Sequence, residues 1–175
     1  SPVDLSSVDR AAIDRSSMAV ATRAIHAGQE PDAATGAVVP PIYMTSTFKQ
    51  DGVGGLRGGY DYSRSVNPTR DSFDTQLAAI EWARHALAFS SGLAAIDVLL
   101  RSTVKPGDRI LLGNDVYGGT YRLLSQVFVP WGVGLDVVDM TDLEAVSHAL
   151  ESTAYSSVWV ETPSNPLLGI PDIAA

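Results

Sequence analysis

Residues 85–113 read HALAFSSGLAAIDVLLRSTVKPGDRILLG, and this stretch decides the fold. The short apolar segment at residues 85–90 predicts a strand, and residues 93–103 are predicted to form a helix. Turn residues at 105–108 then separate this helix from a second predicted strand at residues 109–113. A strand, a helix and a strand joined by short turns are typical of a βαβ unit with parallel strands.

The same alternation continues on both sides of this stretch. Upstream, Asn67 as an N-cap before Pro68 predicts a helix over residues 68–84. Downstream, the pattern predicts a helix at 120–129, a strand at 135–140, a helix capped by Thr141-Asp142 and running to Leu150, a strand at 157–161, and a helix starting at Pro171. We therefore predict an α/β fold with a mainly parallel sheet and flanking helices, whose ligands bind beyond the carboxyl ends of the strands.

The N-terminal third of the sequence has a different character. Residues 1–20 are polar and small and are expected to form a mobile extension. Residues 21–59 contain Pro40-Pro41 and seven glycines, a density that opposes regular structure, so an extended arm or loop is predicted there. The predicted division is thus residues 1–59, an extension and arm, and residues 60–175, the part that forms the sheet.

The composition excludes several classes of function. A net charge of -8 argues against nucleic-acid or anionic-membrane partners, because both require a basic surface. The absence of cysteine excludes disulfides and thiolate-bound metals and suits a reducing, cytoplasmic environment. His26, His85 and His148 lack the spacing of metal ligands, so no metal is expected. No basic stretch precedes an apolar run at the N-terminus, so no signal peptide is expected, and no apolar run is long enough for a membrane helix.

The first candidate site is SSGLAA at residues 90–95, where a predicted strand meets a helix. Free amides at a helix N-terminus bind phosphate well, and Gly92 allows a close approach to the backbone. By themselves, however, these six residues are more often a small-residue turn that packs a helix on a sheet. A nucleophile elbow around Ser90 would need glycine where Ala88 stands, and Arg57 interrupts the glycines that could have formed GxGxxG.

Three further segments could contact a ligand. Tyr62 and Arg64 would point the same way in an extended segment, and a phenol with a guanidinium can clamp a phosphate dianion. Tyr117 follows a predicted strand and could stack on a planar cofactor, and Asn165 offers a donor and an acceptor between rigid prolines. The alternatives are a solvated arm, a turn tyrosine before a helix, and a capped turn.

The order of these segments is far more specific than any one of them. The sequence resembles the pyridoxal-phosphate (PLP)-dependent transsulfuration family of Cys/Met metabolism over about residues 20–175, and bacterial cystathionine γ-synthases in particular. The resemblance rests on TRAIHAGQEPDAATGAVVPPIYMTSTF at 22–48, YSRSVNPTR at 62–70, SSGLAA at 90–95, DVYGGTYR at 115–122 and ETPSNPLL at 161–168. The family also includes cystathionine γ- and β-lyases, methionine γ-lyase and O-acetylhomoserine sulfhydrylase.

The resemblance implies a fold, a reaction and residue roles. It implies PLP fold type I (aspartate aminotransferase-like), a tetramer of two tight dimers, and joining of O-succinylhomoserine or O-acetylhomoserine to cysteine to give cystathionine. Gly92 and Leu93 would donate backbone N–H groups to the PLP phosphate, and Asn165 would hydrogen-bond the 3′-oxygen of the ring. Tyr117 would stack on the ring and assist near the substrate amino group. Tyr62 and Arg64 would reach the phosphate in the neighbouring subunit.

Parts of the family pattern are not found in this sequence. The family has an aspartate for the pyridine nitrogen, a lysine that forms the Schiff base, and a C-terminal domain. Lys49 and Lys105 are the lysines of this chain, and neither matches the family's lysine motif. The chain is therefore interpreted as the N-terminal portion of the enzyme, with an incomplete PLP-binding domain. Two functions stay open: a portion of a catalytic enzyme, or a non-catalytic piece that acts only in assembly.

Overall fold

A computed structural model describes residues 18–175 of the protein. The described residues form two compact units, one up to Ala88 and one from Phe89 onwards. Most of the predicted N-terminal extension lies outside the described residues. The division predicted between residues 59 and 60 stays a prediction.

The first unit is built on two helices, α1 (Val20–His26) and α2 (Pro68–Ile80). α1 corrects the prediction of irregular structure from residue 21. It forms because it packs against α2, where the Arg23 guanidinium donates through Nη1 to Ala79 O at 3.0 Å and is almost fully buried. Gly28, at φ +70°, follows α1 and lies so close to α2 that an added Cβ would be 2.4 Å from Ser72 O.

α2 ends at Ile80, four residues before the predicted end at residue 84. Trp82 adopts a left-handed conformation (φ 53°), which ends the helix, and Ala83 N donates back to Ala78 O at 2.9 Å. The Trp82 ring lies over the Arg23 guanidinium, 3.5 Å from its Cζ to the ring centroid. This stacking is a tertiary contact, which the local helix pattern could not predict.

The segment between the two helices is irregular, as predicted, but it is not simply extended. Isolated antiparallel bridges pair Thr47 with Tyr62, Gln50 with Leu56, and Arg57 with Tyr60, so the segment folds back on itself. The predicted N-cap of α2 is confirmed. Asn67 Oδ1 accepts from Thr69 N at 2.8 Å, and its amide nitrogen donates to Tyr43 O at 3.1 Å.

The second unit contains a three-stranded parallel sheet in the order β2-β1-β3, which confirms the predicted α/β fold. Its elements in chain order are α3 (Gly92–Thr103), β1 (Arg109–Gly113), α4 (Gly118–Leu123), a π-helical turn (Leu124–Phe128), α5 (Val129–Trp131), β2 (Gly134–Val138), α6 (Leu143–Ser152) and β3 (Ser157–Trp159). Each parallel connection passes through helix, as a βαβ topology requires.

The core of this unit lies between the sheet and the helices on one of its faces. Ile110 and Leu112 alternate on β1 and point to the same face of the sheet. They join a cluster of buried side chains from the helices and the connecting turns: Leu100, Val104, Leu124, Phe128 and Val133. Because β1 is the central strand, it is buried on both faces. Its sequence is therefore a continuous apolar run, from which the strand could be predicted.

Two predicted elements of the second half are wrong. Residues 85–90 do not form a strand, because they find no ladder partner among the described residues. Ala88 N donates instead to Asp74 Oδ1 at 2.9 Å. No helix forms at residues 171–175, where the Asp172 carboxylate accepts from Ala174 N and Ala175 N at 3.0 and 3.3 Å in place of main-chain bonds.

The predicted helix at 120–129 begins earlier and continues further. It contains a π-helical turn, in which Val129 N donates to Leu124 O, and it ends at Gly132 in the left-handed conformation. Pro130 does not end it, because a proline is tolerated in the first turn of the short segment that follows the π-helical turn. Within residues 18–175, no helix has the length and apolar character needed to cross a membrane.

Candidate cofactor-binding site

A cleft of about 200 Å³ lies in the second unit at the carboxyl ends of the strands, where ligands are expected in such a sheet. Its walls come mainly from the segments after β1 and after β3. β1 and β3 are neighbours in the sheet, so these two segments meet at one edge. The cleft is lined by Gly113, Asn114, Asp115, Val116, Asp139, Met140, Thr141, Glu161, Ser164, Leu167, Gly169 and Pro171.

Asp115 fixes the loop that carries Asn165. Asp115 Oδ2 accepts hydrogen bonds from Ser164 Oγ at 2.5 Å and from Leu167 N at 3.0 Å. Ser164, which is only 6% exposed, in turn accepts from Gly169 N at 2.7 Å. Asn165 is itself exposed, so its amide group is free to meet a ligand while its flanking backbone is held.

Glu161 fixes the start of α4. Its Oε2 accepts from Tyr117 N at 2.7 Å, and its Oε1 accepts from Thr120 Oγ1 at 2.8 Å and from Trp159 Nε1 at 3.1 Å. One carboxylate therefore joins the end of β3 to the turn before α4. The Tyr117 side chain is 47% exposed, which leaves part of its ring available for a planar ligand.

The N-terminus of α3 offers unpaired backbone amides. Ser91 Oγ accepts from Ala94 N at 3.1 Å and caps the helix, whereas Gly92 N and Leu93 N meet no acceptor within residues 18–175. A Cβ added to Gly92 would contact nothing within 4 Å, so the backbone is open to an approaching group. This is the geometry in which helix N-termini bind phosphate.

The Asp139 carboxylate at the edge of the cleft is hydrogen-bonded by Thr141. Asp139 Oδ1 accepts from Thr141 Oγ1 at 2.7 Å and from Thr141 N at 2.8 Å. These bonds lower the pKa of Asp139 below its ordinary value. In the part of the chain that the structure describes, no group of three His, Asp or Glu side chains is arranged to hold a metal ion.

Tyr62 and Arg64 lie together in the first unit. Arg64 Nη2 donates to Tyr62 Oη at 2.8 Å. The segment is not extended, contrary to the prediction: residues 63–65 form a turn, and Ser65 N donates to Tyr62 O at 2.9 Å. The phenol and the guanidinium therefore meet through a turn. Their predicted role at a phosphate of another subunit stays a prediction.

Four of the six predicted site residues lie in the second unit, and the other two, Tyr62 and Arg64, lie in the first. Tyr117 and Asn165 sit on the loops after the neighbouring strands β1 and β3, and Gly92 and Leu93 begin α3 in the same unit. The two lysines, Lys49 and Lys105, are both exposed. The interpretation that neither is the family's lysine stays a prediction.

Sequence reasoning missed the side chains that hold the site in place. Asp115, Glu161 and Ser164 stood inside the quoted motifs but received no role. The available signal was their position directly after buried strands, since a carboxylate there can accept from the amides of an adjacent loop. Trp159 and Gly169 are partners nearby in sequence, but the partners that join the two loops lie between 41 and 52 residues away and were not predictable.

Comparison with known proteins gives consistent matches. The family model described as Cys/Met metabolism PLP-dependent enzyme matches residues 21–175. Cystathionine γ-synthase of Mycobacterium tuberculosis is 55% identical over 155 residues, which are 89% of this chain and 40% of the relative. The putative cystathionine γ-lyase 2 of Caenorhabditis elegans is 49% identical over 88% of this chain and 39% of its own length.

A solved structure agrees with these sequence matches. The crystal structure of metB from Corynebacterium glutamicum superposes with a TM-score of 0.86 at 48% identity, and the match covers 91% of this chain and 41% of that one. The chain thus spans about 40% of the length of the curated relatives that it matches.

The residues present fit PLP. The unpaired amides at Gly92 and Leu93 suit a phosphate, and the open space at Gly92 gives the phosphate room. The half-exposed ring of Tyr117 suits stacking on a planar aromatic group, and the exposed Asn165 amide suits a polar ring substituent.

Proposed function

This chain belongs to the Cys/Met metabolism PLP-dependent enzyme family, and on that premise we propose that the whole enzyme is a cystathionine γ-synthase. The proposed reaction joins O-succinylhomoserine, or O-acetylhomoserine, to L-cysteine. The Cγ–O bond of the acylated homoserine breaks, and the cysteine sulfur forms the new Cγ–S bond. Succinate or acetate leaves as a carboxylate, and the thiol proton is released to solution. The product is cystathionine. The 55% identity to the mycobacterial cystathionine γ-synthase is the observation that carries this proposal.

The proposed site uses the residues described above. Gly92 and Leu93 donate their amides to the PLP phosphate, and the positive end of the α3 dipole favours that dianion. Asn165 donates to the 3′-oxygen on the pyridine ring. The Asp115 carboxylate supports this role, because it holds the backbone on the C-terminal side of Asn165 through Leu167 N.

Tyr117 is proposed to stack on the pyridine ring and to assist near the substrate amino group. When bound, PLP supplies an electron sink that stabilises negative charge on the substrate carbons. The contribution of Tyr117 is orientation, since a stacked ring restricts the tilt of the cofactor relative to the substrate. The covalent link to the cofactor requires a lysine other than the exposed Lys49 and Lys105.

A cystathionine γ-lyase is the second candidate. The 49% identity to the nematode protein named as a putative γ-lyase supports it, and O-acylhomoserine sulfhydrylase belongs to the same family of reactions. A non-catalytic assembly piece is the alternative from another class. The unpaired amides of Gly92 and Leu93 support the enzyme, because they suit a phosphate group and an assembly role gives no reason for them.

The proposed assembly is a cytoplasmic homotetramer in which Tyr62 and Arg64 reach the phosphate of a neighbouring subunit. The direct contact between Arg64 Nη2 and Tyr62 Oη supports a shared clamp on one anion. Nucleic acid and membranes are not proposed as partners, in keeping with the net charge of -8.

Steady-state kinetics of the full-length enzyme test the function. We expect kcat/KM for condensation of O-succinylhomoserine with cysteine to exceed kcat/KM for cystathionine cleavage. An excess of cleavage of roughly tenfold, equivalent to about 1.4 kcal/mol in transition-state stabilisation, would select the lyase instead. Absence of both reactions in a protein that retains PLP would reject both candidates.

A further inference from the structure

The ring of Tyr117 lies against a glycine of its own helix. Tyr117 is the N-cap of α4, and its ring folds back over the first turn of that helix. A Cβ added to Gly119 would lie 2.3 Å from Tyr117 Cε1 and 2.8 Å from Cζ. Real Cβ atoms essentially never approach so closely, so the ring can occupy this position only because residue 119 has no side chain.

The backbone of Tyr117 is held from the other side. Glu161 Oε2 accepts from Tyr117 N at 2.7 Å, and the same carboxylate is fixed by Thr120 and Trp159. Thr120 is fully buried, so this anchor belongs to the rigid part of the unit. The main chain and the ring of Tyr117 are therefore positioned by different residues.

We propose that Gly119 and Glu161 are positioning residues that set the ring of Tyr117 for contact with PLP. The inference rests on the proposed role of Tyr117 and extends it to two residues that act through Tyr117, of which Glu161 also lines the cleft. Gly119 determines where the ring can lie, and Glu161 fixes the position of the Tyr117 backbone from which the side chain extends. Preorganisation of this kind limits the reorganisation needed when the cofactor binds.

Substitution of Gly119 should move the ring without unfolding the helix. The side chain of Tyr117 is half exposed and can rotate away, so the clash is relieved by the ring rather than by the backbone. Gly119 is not in the left-handed region, so alanine is compatible with its backbone. We expect Gly119→Ala to lower PLP affinity three- to tenfold, about the loss of one aromatic stacking contact.

The neighbouring glycine provides a matched control. A Cβ on Gly118 would be 3.5 Å from Arg122 Nη1, an ordinary contact, and Gly118 begins the same helix. Gly118→Ala therefore makes the same glycine-to-alanine change in the same helical turn but leaves residue 119, the position that meets the ring, without a Cβ. We expect its PLP dissociation constant to stay within about twofold of the parent enzyme.

The experiment measures PLP binding to the full-length apoenzyme by absorbance and circular dichroism, without substrate. The decisive comparison is Gly119→Ala made alone and in a Tyr117→Ala background, since a residue that acts through the ring has no effect once the ring is gone. A Gly119→Ala effect that persists undiminished in that background would overturn the proposal, as would an unchanged affinity in Tyr117→Ala.

Glu161 is tested in the same assay. Glu161→Gln keeps one carbonyl acceptor and should retain part of the PLP affinity and of the cofactor's circular dichroism, whereas Glu161→Ala should lose more of both. Equal effects of the two variants would argue against positioning through Tyr117 N. Because no substrate is present, a full-length enzyme that proved to be a lyase would overturn the proposed function and leave this result to stand.

Discussion

The two ends of the sheet use carboxylates in different ways. At the carboxyl ends of the strands, Asp115 and Glu161 accept hydrogen bonds from main-chain amides, hydroxyls and an indole. Towards the amino ends, Asp136 in the middle of β2 accepts from Nη2 of Arg109, the first residue of β1, at 2.6 Å and from Tyr155 Oη at 3.0 Å. Asp115 and Glu161 bind only neutral donors and fix loops, whereas Asp136 pairs with the opposite charge of Arg109 and accepts from the Tyr155 hydroxyl as well.

The two kinds of carboxylate are expected to have different roles, one in positioning loops and the other in the stability of the fold. The side chains of Arg109 and Asp136 are 44% and 36% exposed, and ion pairs in contact with water contribute little to folding. The carboxylates at the other end determine the backbone of the loops that hold Tyr117 and Asn165. We therefore expect substitutions at the carboxyl end to change cofactor binding and substitutions at the amino end to leave it unchanged.

The largest effect is expected for Asp115→Ala in the full-length enzyme. The substitution leaves Ser164 Oγ and Leu167 N without their acceptor, so the loop with Asn165 loosens. Hydrogen bonds to charged groups contribute about 1.5–3 kcal/mol, so we expect PLP affinity to fall roughly tenfold or more. Titration of the apoenzyme with PLP measures this change.

Asp136→Ala serves as the matched control for Asp115→Ala. It removes a carboxylate that also accepts several hydrogen bonds, but one that stands within β2 and not on a loop after a strand. An equal loss of PLP affinity in both variants would show that the two ends do not divide their roles in this way.

An intermediate effect is expected for the cap of α3. Ser91 and Asp142 cap α3 and α6 alike, accepting from Ala94 N at 3.1 Å and from Ala145 N at 3.0 Å. Removal of either cap should cost about 1 kcal/mol of folding free energy. Only Ser91→Ala should also weaken PLP binding, by about fivefold, because the first turn of α3 offers the free amides. Thermal unfolding and PLP titration of both variants, side by side, separate the two effects.

The smallest effect is expected for Asp136→Asn, and it should depend on pH. The Arg109 guanidinium lowers the pKa of the Asp136 carboxyl below its ordinary value. A lowered folded-state pKa stabilises the protein above the unfolded value of about 3.9, and this stability is lost as the pH falls through the folded pKa. The variant should therefore unfold at a slightly lower temperature than the parent at pH 7. This difference in unfolding temperature should disappear towards pH 3. A difference that stayed constant over this range would exclude the ion pair as its cause.

The sequence predicted elements whose determinants are local. β1 was predicted with both ends in place, since its apolar run is buried on both faces and bounded by turn residues. The cap at Asn67 was predicted because its hydrogen bond spans two residues. The strand at residues 85–90 was wrong because a strand requires a partner, and apolar character alone does not supply one.

The candidate site divides in the same way. Gly92, Tyr117 and Asn165 were candidates because each residue type, at its place in its motif, suggests a contact with a ligand. Glu161 and Gly119 were not, because their contacts with Tyr117 depend on tertiary structure and on the direction of one aromatic ring. The motifs predict which residues meet a ligand, whereas the contacts that hold those residues in place appear only in three dimensions.

The π-helical turn at Leu124–Phe128 bears on how related sequences should be aligned. Such a turn carries one residue more than a regular turn of α-helix. A relative whose helix is regular at this point needs a one-residue gap inside the turn and nowhere else. A gap placed outside it would rotate the following residues by about 100° and pair core positions such as Phe128 with solvent-facing ones.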